Sequence, residues 1–194
     1  AVVIGPYTLL KLSRFIEDTK PRDYVEALVE AYKQIIDRLS QKGVKWLQID
    51  EPALSFDVDS VEKQLFDDLY DGILAEKRST KILLQNYFGD IRDIYNDVTS
   101  KNFDGIGLDF VEGKYNNELL KQNGFPDDKI LFAGVVNGKN IWRNHYENTI
   151  NFLNQLNTKA PVVLNSSTSL LHVPYTAEDE TKLPGDVKQH LAFA

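Results

Sequence analysis

VKWLQIDEPALSFD, Val44 to Asp57, is the stretch on which the fold turns. An apolar run, VKWLQI, leads straight into two adjacent acids, Asp50 and Glu51, and Pro52 follows at once. The run has the length and the β-branched ends of a buried strand. Proline lacks the N–H that a ladder needs, so the strand stops at the acids. The stretch therefore sets two carboxylates at the C-terminal end of a buried strand.

Five further runs share this character: Val2–Ile4, Lys81–Gln85, Gly105–Phe110, Ile130–Val136 and Pro161–Asn165. Between them lie segments of helical period. Arg22 to Lys42 carries Tyr24, Leu28, Ala31, Ile35 and Leu39 at three- and four-residue spacing, and Gly43 ends it. Asp59 to Lys77 repeats the pattern, followed by Ile91–Ser100, Asn116–Gln122 and Arg143–Asn157. A last helix is expected from near Asp186 to the chain end. Strand-then-helix repetition implies an α/β fold with parallel strands covered by helices.

An open doubly wound sheet and a (β/α)8 TIM barrel both satisfy that order. No glycine-rich phosphate loop follows an early strand, which weighs against a dinucleotide-binding sheet. The strand ends favour the barrel. They finish in Asp50 and Glu51, Gln85 and Asn86, Asp109, Asn137, and Asn165 and Ser166. A barrel gathers the C-terminal ends of all its strands on one face, where sites are built. Six runs are two short of eight. Residues 1–194 are thus expected to form one partial barrel of about six strand–helix units, with two units before Ala1 and part of the last helix after Ala194.

Composition narrows the partners. The chain has 194 residues, 42% of them apolar, and a net charge of −7 without a basic stripe, which argues against nucleic acid. No apolar run is long enough to span a bilayer, and the start lacks a basic leader, so a cytoplasmic protein is expected. Cysteine is absent, and three scattered histidines give no zinc spacing, so no metal site is expected in this chain. His172, between apolar residues and a proline, reads as a buried structural histidine; His145 and His190 read as surface positions on helices.

The candidate catalytic residues are Asp50, Glu51 and Asp109. A glycosidase-type hydrolase would use Asp50 or Glu51 with Asp109 across the bond, at about 5–10 Å. The bland reading makes these acids loop caps or rim salt bridges. The candidate substrate-binding residues are Asn86 in NYFGD, Asn137 in GVVNGKNIW, and Asn165 and Ser166 in NSSTSLLHVPY. Gly89 is expected to open the helix after its strand, and Asn137–Gly138 to make a tight turn. Lys139 is a possible anion contact. A carboxylate-lined small-molecule binding module is the alternative to an enzyme.

GPYTLL, WLQIDEPAL, NYFGD, GVVNGKNIW and SLLHVPY, in this order, closely resemble the cobalamin-independent methionine synthase family over nearly the whole chain. The resemblance is to the later part of that family's N-terminal barrel. It implies a two-barrel methyltransferase that moves a methyl group from polyglutamylated 5-methyltetrahydrofolate to homocysteine. Zinc, held in the family by a histidine, two cysteines and a glutamate of the C-terminal barrel, activates the thiol. On this chain the matched positions are Leu84, Asn86 and Thr168, which supply no such ligands. The resemblance therefore implies a non-catalytic scaffold that works with the C-terminal barrel. Asp50 matches an acid that contacts homocysteine in the catalytic half, and here reads as a relic of duplication.

Overall fold

The computed structural model describes residues 1–16, 18–75, 79–176, 178 and 180–192. Six strands form one sheet: β1 (Val2–Ile4), β2 (Trp46–Asp50), β3 (Lys81–Gln85), β4 (Gly105–Asp109), β5 (Ile130–Val136) and β6 (Val162–Ser166). Every neighbouring pair is parallel, and the spatial order follows the chain order. A doubly wound sheet would reverse its order part-way. This one does not.

The sheet is curled. The Asn165 amide on β6 donates to Gln85 Oε1 on β3 at 2.8 Å. Trp46 on β2 meets Phe132 on β5 with ring centroids 5.6 Å apart. Each pair lies three strand spacings apart, roughly 14 Å in a flat sheet. The strands therefore wrap an interior, as in a barrel, with β1 and β6 left as the two edges.

Strand alternation divides the side chains between that interior and the helical layer. Leu47, Ile49, Ile82, Leu84, Ile106, Leu108, Leu131 and Ala133 are enclosed. Most join Phe66, Leu69, Tyr70 and Ile73 of a covering helix in one core. The opposite phase, Gln48, Asp50, Gln85 and Phe132, faces the interior. The glycines of β4 make this possible. A Cβ at Gly107 would lie 2.0 Å from Gln85 Oε1, and one at Gly105 would lie 2.7 Å from the Phe132 ring. The GIG sequence is thus a packing device for two large side chains.

The helices are α1 (Pro6–Leu12), α2 (Val25–Gln41), α3 (Ser60–Leu74), α4 (Tyr95–Ser100), α5 (Asn116–Asn123), α6 (Tyr146–Asn154) and α7 (Gly185–Lys188). Gly43, at φ +70°, ends α2 as its position suggests. Asp59 caps α3: its carboxylate accepts from Glu62 N at 2.9 Å, while Glu62 accepts from Asp59 N at 3.3 Å. The expected end of that helix at Lys77 lies outside the described residues.

Several expectations change in detail. GPYTLL forms a helix, α1, started by Pro6 at its first position. Gly89 lies in a bend, and the following helix begins only at Tyr95. Ile91 is diverted first, its N–H donating to Asn116 Oδ1 at 3.2 Å. α6 is shorter than Arg143–Asn157. His145 stands at its N-cap position without a side-chain capping bond and is exposed. The last helix is a single turn, after which Leu191 bridges to Trp142; residues 193–194 and the His172 side chain lie outside the description. No helix among the described residues is long and apolar enough to cross a membrane.

Candidate functional site

Asp50 and Glu51 follow each other in sequence but face opposite sides of the sheet. Asp50 keeps the interior phase of β2. Its Oδ1 accepts from Gln48 Nε2 at 2.8 Å, and its Oδ2 from the Tyr87 hydroxyl at 3.3 Å. It lines a cavity of about 230 Å³ at the C-terminal mouth, with Gln48, Gln85, Tyr87, Asn165 and Ser166. Burial raises the Asp50 pKa, and the hydrogen bonds from Gln48 and Tyr87 oppose that rise. The hydroxyl of Tyr87 is itself pushed up, by burial and then by the Asp50 charge, and so remains a donor.

Glu51 points outward and is fully buried. Its Oε1 accepts from Tyr7 N at 3.0 Å and from the Tyr70 hydroxyl at 2.5 Å; its Oε2 accepts from Thr8 N at 2.7 Å. Tyr7 and Thr8 stand in the first turn of α1, whose own cap position, Gly5, has no side chain to offer. Glu51 therefore caps α1 from another strand, where a carboxylate also meets the favourable end of the helix dipole. Gly5 must be glycine for this contact, since a Cβ there would lie 2.0 Å from Glu51 Cδ. Burial pushes the Glu51 pKa up to about 7 despite these donors.

Asp109 is fully buried and does not reach the Asp50 cavity. Its Oδ1 accepts from Val111 N at 2.8 Å and Glu112 N at 2.9 Å, and its Oδ2 from Phe88 N at 3.1 Å. It ties the loop after β4 to the loop after β3. Phe88 there has φ +72°, the one left-handed non-glycine residue among those described. Asp50 and Asp109 thus do not line one cavity.

The candidate amides divide. Asn165 and Ser166 line the cavity. The first bridges to Gln85, and the hydroxyl of the second donates to Thr168 O at 2.8 Å. Asn86 is buried behind the strand end, donating to Glu51 O at 3.2 Å, and its Oδ1 lacks a partner. Asn137 closes a turn by accepting from Lys139 N at 2.8 Å. The Lys139 ammonium meets Glu112 at 2.8 Å and lies 5.0 Å from the Phe88 ring centroid. Leu84 faces the helical core, so the interior position at this strand end is Gln85. Gln85 stands among the polar strand ends, whereas Gln48 is legible as a site residue only from the phase that Asp50 sets, and Tyr87 lies beyond the end of β3.

No group of three or more His, Cys, Asp or Glu among the described residues is arranged to hold a metal ion. One carboxylate among amides and hydroxyls is a poor donor set for zinc, which takes thiolate and imidazole.

Residues 1–161 match the family model described as "Cobalamin-independent synthase, N-terminal domain". The chain belongs to this family. Two proteins named 5-methyltetrahydropteroyltriglutamate–homocysteine methyltransferase are close relatives. That of Lactococcus lactis subsp. cremoris is 48% identical over 99% of this chain, and that of Streptococcus gordonii 50% identical over all of it. In each case the chain spans 25% of the relative's length. Among solved structures, a putative vitamin-B12 independent methionine synthase from Listeria monocytogenes superposes with a TM-score of 0.68 at 14% identity, covering 87% of this chain and 56% of that one. A B12-independent methionine synthase from Shewanella, solved with selenomethionine, gives 0.70 at 15%, covering 90% and 56%. At such identity the cobalamin-independent synthase likeness in these structures is one of fold.

Proposed function

We propose that this chain is a portion of the N-terminal barrel domain of a methyltransferase that forms methionine. The substrates are homocysteine and polyglutamylated 5-methyltetrahydrofolate, as the relatives' names suggest, and the compartment is the cytoplasm. Within that enzyme the chain serves as non-catalytic scaffold. Zinc and the thiol chemistry belong to a C-terminal barrel that packs with it. Two strand–helix units from outside this segment complete the curled sheet. The span of one quarter of each relative supports this reading, as do the two open sheet edges.

One observation carries the scaffold assignment. The interior carboxylate, Asp50, has only amides, hydroxyls and apolar groups around it in the cavity. Such a wall can hydrogen-bond a small molecule, but it cannot generate a metal-bound thiolate. Zinc does not fit here, and no step of methyl transfer is assigned to these residues. The same cavity keeps a second reading open, a small-molecule binding module. Calorimetry with homocysteine and with the folate distinguishes the two.

The test is zinc analysis and methyl-transfer assay on the 194-residue chain and on the longer protein in parallel. The longer protein is expected to form methionine and hold one zinc, and the chain to do neither. Stoichiometric zinc or turnover in the 194-residue chain overturns the scaffold assignment.

A further inference from the structure

The Asp50 cavity, about 230 Å³ in volume, is unevenly supplied with donors and acceptors. The donors in its wall are spent on the protein itself. Gln48 Nε2 donates to Asp50 Oδ1 at 2.8 Å, and the Tyr87 hydroxyl to Asp50 Oδ2 at 3.3 Å. Gln85 Nε2 donates to Asn86 O, Asn165 Nδ2 to Gln85 Oε1 and the Ser166 hydroxyl to Thr168 O, each at 2.8 Å. Acceptors are left over. An ionised carboxylate offers about four lone-pair sites, and two donors reach that of Asp50.

The wall is also charged one way. Asp50 lines it, and no Lys, Arg or His does. Both donors that meet Asp50 are neutral groups, an amide and a phenol. A carboxylate withdrawn from water is costly to keep ionised unless a cation answers it. The apolar members of the lining, Val2 and Leu171, are 62% and 93% exposed, so the cavity opens beside short apolar surface.

We propose that this cavity binds a small primary alkylammonium ion. The ammonium donates to the Asp50 carboxylate, and the alkyl part lies against Val2 and Leu171. The ligand class follows from the lining. A wall with committed donors, spare acceptors and one negative charge asks for a donor that carries positive charge. A free amino acid fits less well, because its own carboxylate would meet no cation and would face Asp50. A divalent metal ion takes several oxygen ligands at once, and a single carboxylate stands here. At about 30 Å³ for one water, the volume suits a ligand of roughly seven non-hydrogen atoms or fewer. This assignment deepens the small-molecule reading of the cavity and rests on it; no step of methyl transfer depends on it.

The test is titration of the longer protein with propylammonium, read by calorimetry and by ligand-detected NMR. Propanol, propionate and β-alanine are the neutral, anionic and zwitterionic controls. Saturable propylammonium binding is expected in the millimolar range, as befits so few atoms, with the three controls weaker. Asp50→Asn should weaken it at least about tenfold, the scale of a hydrogen bond to a charged partner. Leu171→Lys, at an exposed position where the fold is not at stake, should weaken it about threefold by bringing a like charge to the cavity. An affinity unchanged in either variant overturns the proposal. Propanol or propionate binding as tightly also overturns it, while leaving the cavity a small-molecule site. Silence of every ligand overturns both readings.

Discussion

At Glu51, burial and hydrogen bonding pull in opposite directions. Burial raises the folded pKa from 4.5 to about 7, and the donors from Thr8, Tyr70 and Tyr7 offset this only in part. Between those values the folded chain holds a proton that the unfolded chain has released. The contribution of this group to stability is therefore fullest below pH 4.5, falls as the pH rises to about 7, and is level above that. Urea denaturation from pH 4.5 to 8 should show that slope in the native chain and a flatter one in Glu51→Gln. Glu51→Ala leaves two backbone N–H groups and the Tyr70 hydroxyl without an acceptor. A loss on the order of 3 kcal/mol is expected in the same denaturation. The pairing of the two acids was only half legible in sequence. Their position at a strand end could be read directly. Their opposite facing depends on where β2 stops, and Glu51's partners lie 43 and 44 residues away on α1.

The elements divide by how local their causes are. α2 and α3 were legible because apolar period, cap and stop all sit within one segment: Asp59 and Glu62 begin α3, and Gly43 ends α2. Asp59→Ala should cost about 1 kcal/mol in thermal or urea denaturation. α4 was read too long because its expected first turn is pulled away by Asn116, a residue 25 positions on. α1 was missed because a seven-residue helix has too few periods to register, and its cap comes from β2. On β4, the reason for the glycines lies on the neighbouring strands, out of reach of the local sequence. Gly107→Ala drives a methyl group into Gln85 Oε1, the atom that holds Asn165. A loss of about 1–3 kcal/mol is expected from such overpacking. Adding Gln85→Ala should recover part of it, a coupling that a double-mutant cycle reads.

On the scale of the whole molecule, six parallel strands in chain order curl far enough for β3 to touch β6 across the interior. Strand number, order and the polar ends were readable from the sequence, since each repeats along the chain. The membership of the cavity was not, because it joins β2, β3 and β6 through their phase. The curl leaves apolar surface at both edges. Val2 is 62% exposed on β1, and Leu164 is 62% exposed on β6. Open strand edges and apolar faces associate. The separate 194-residue chain is thus expected to self-associate as concentration rises, which sedimentation would read, while the longer protein should not. On the proposed scaffold reading, Asp50 lines the cavity without taking part in methyl transfer. The most direct measurement is methionine formation by the longer protein with Asp50→Asn. Native-like zinc content and a kcat within about threefold of the parent are predicted, since the acceptor lost serves only Gln48 and Tyr87 within the cavity. A drop of about a hundredfold or more, the scale of a lost acid–base or substrate-orienting group, would instead place Asp50 in the reaction.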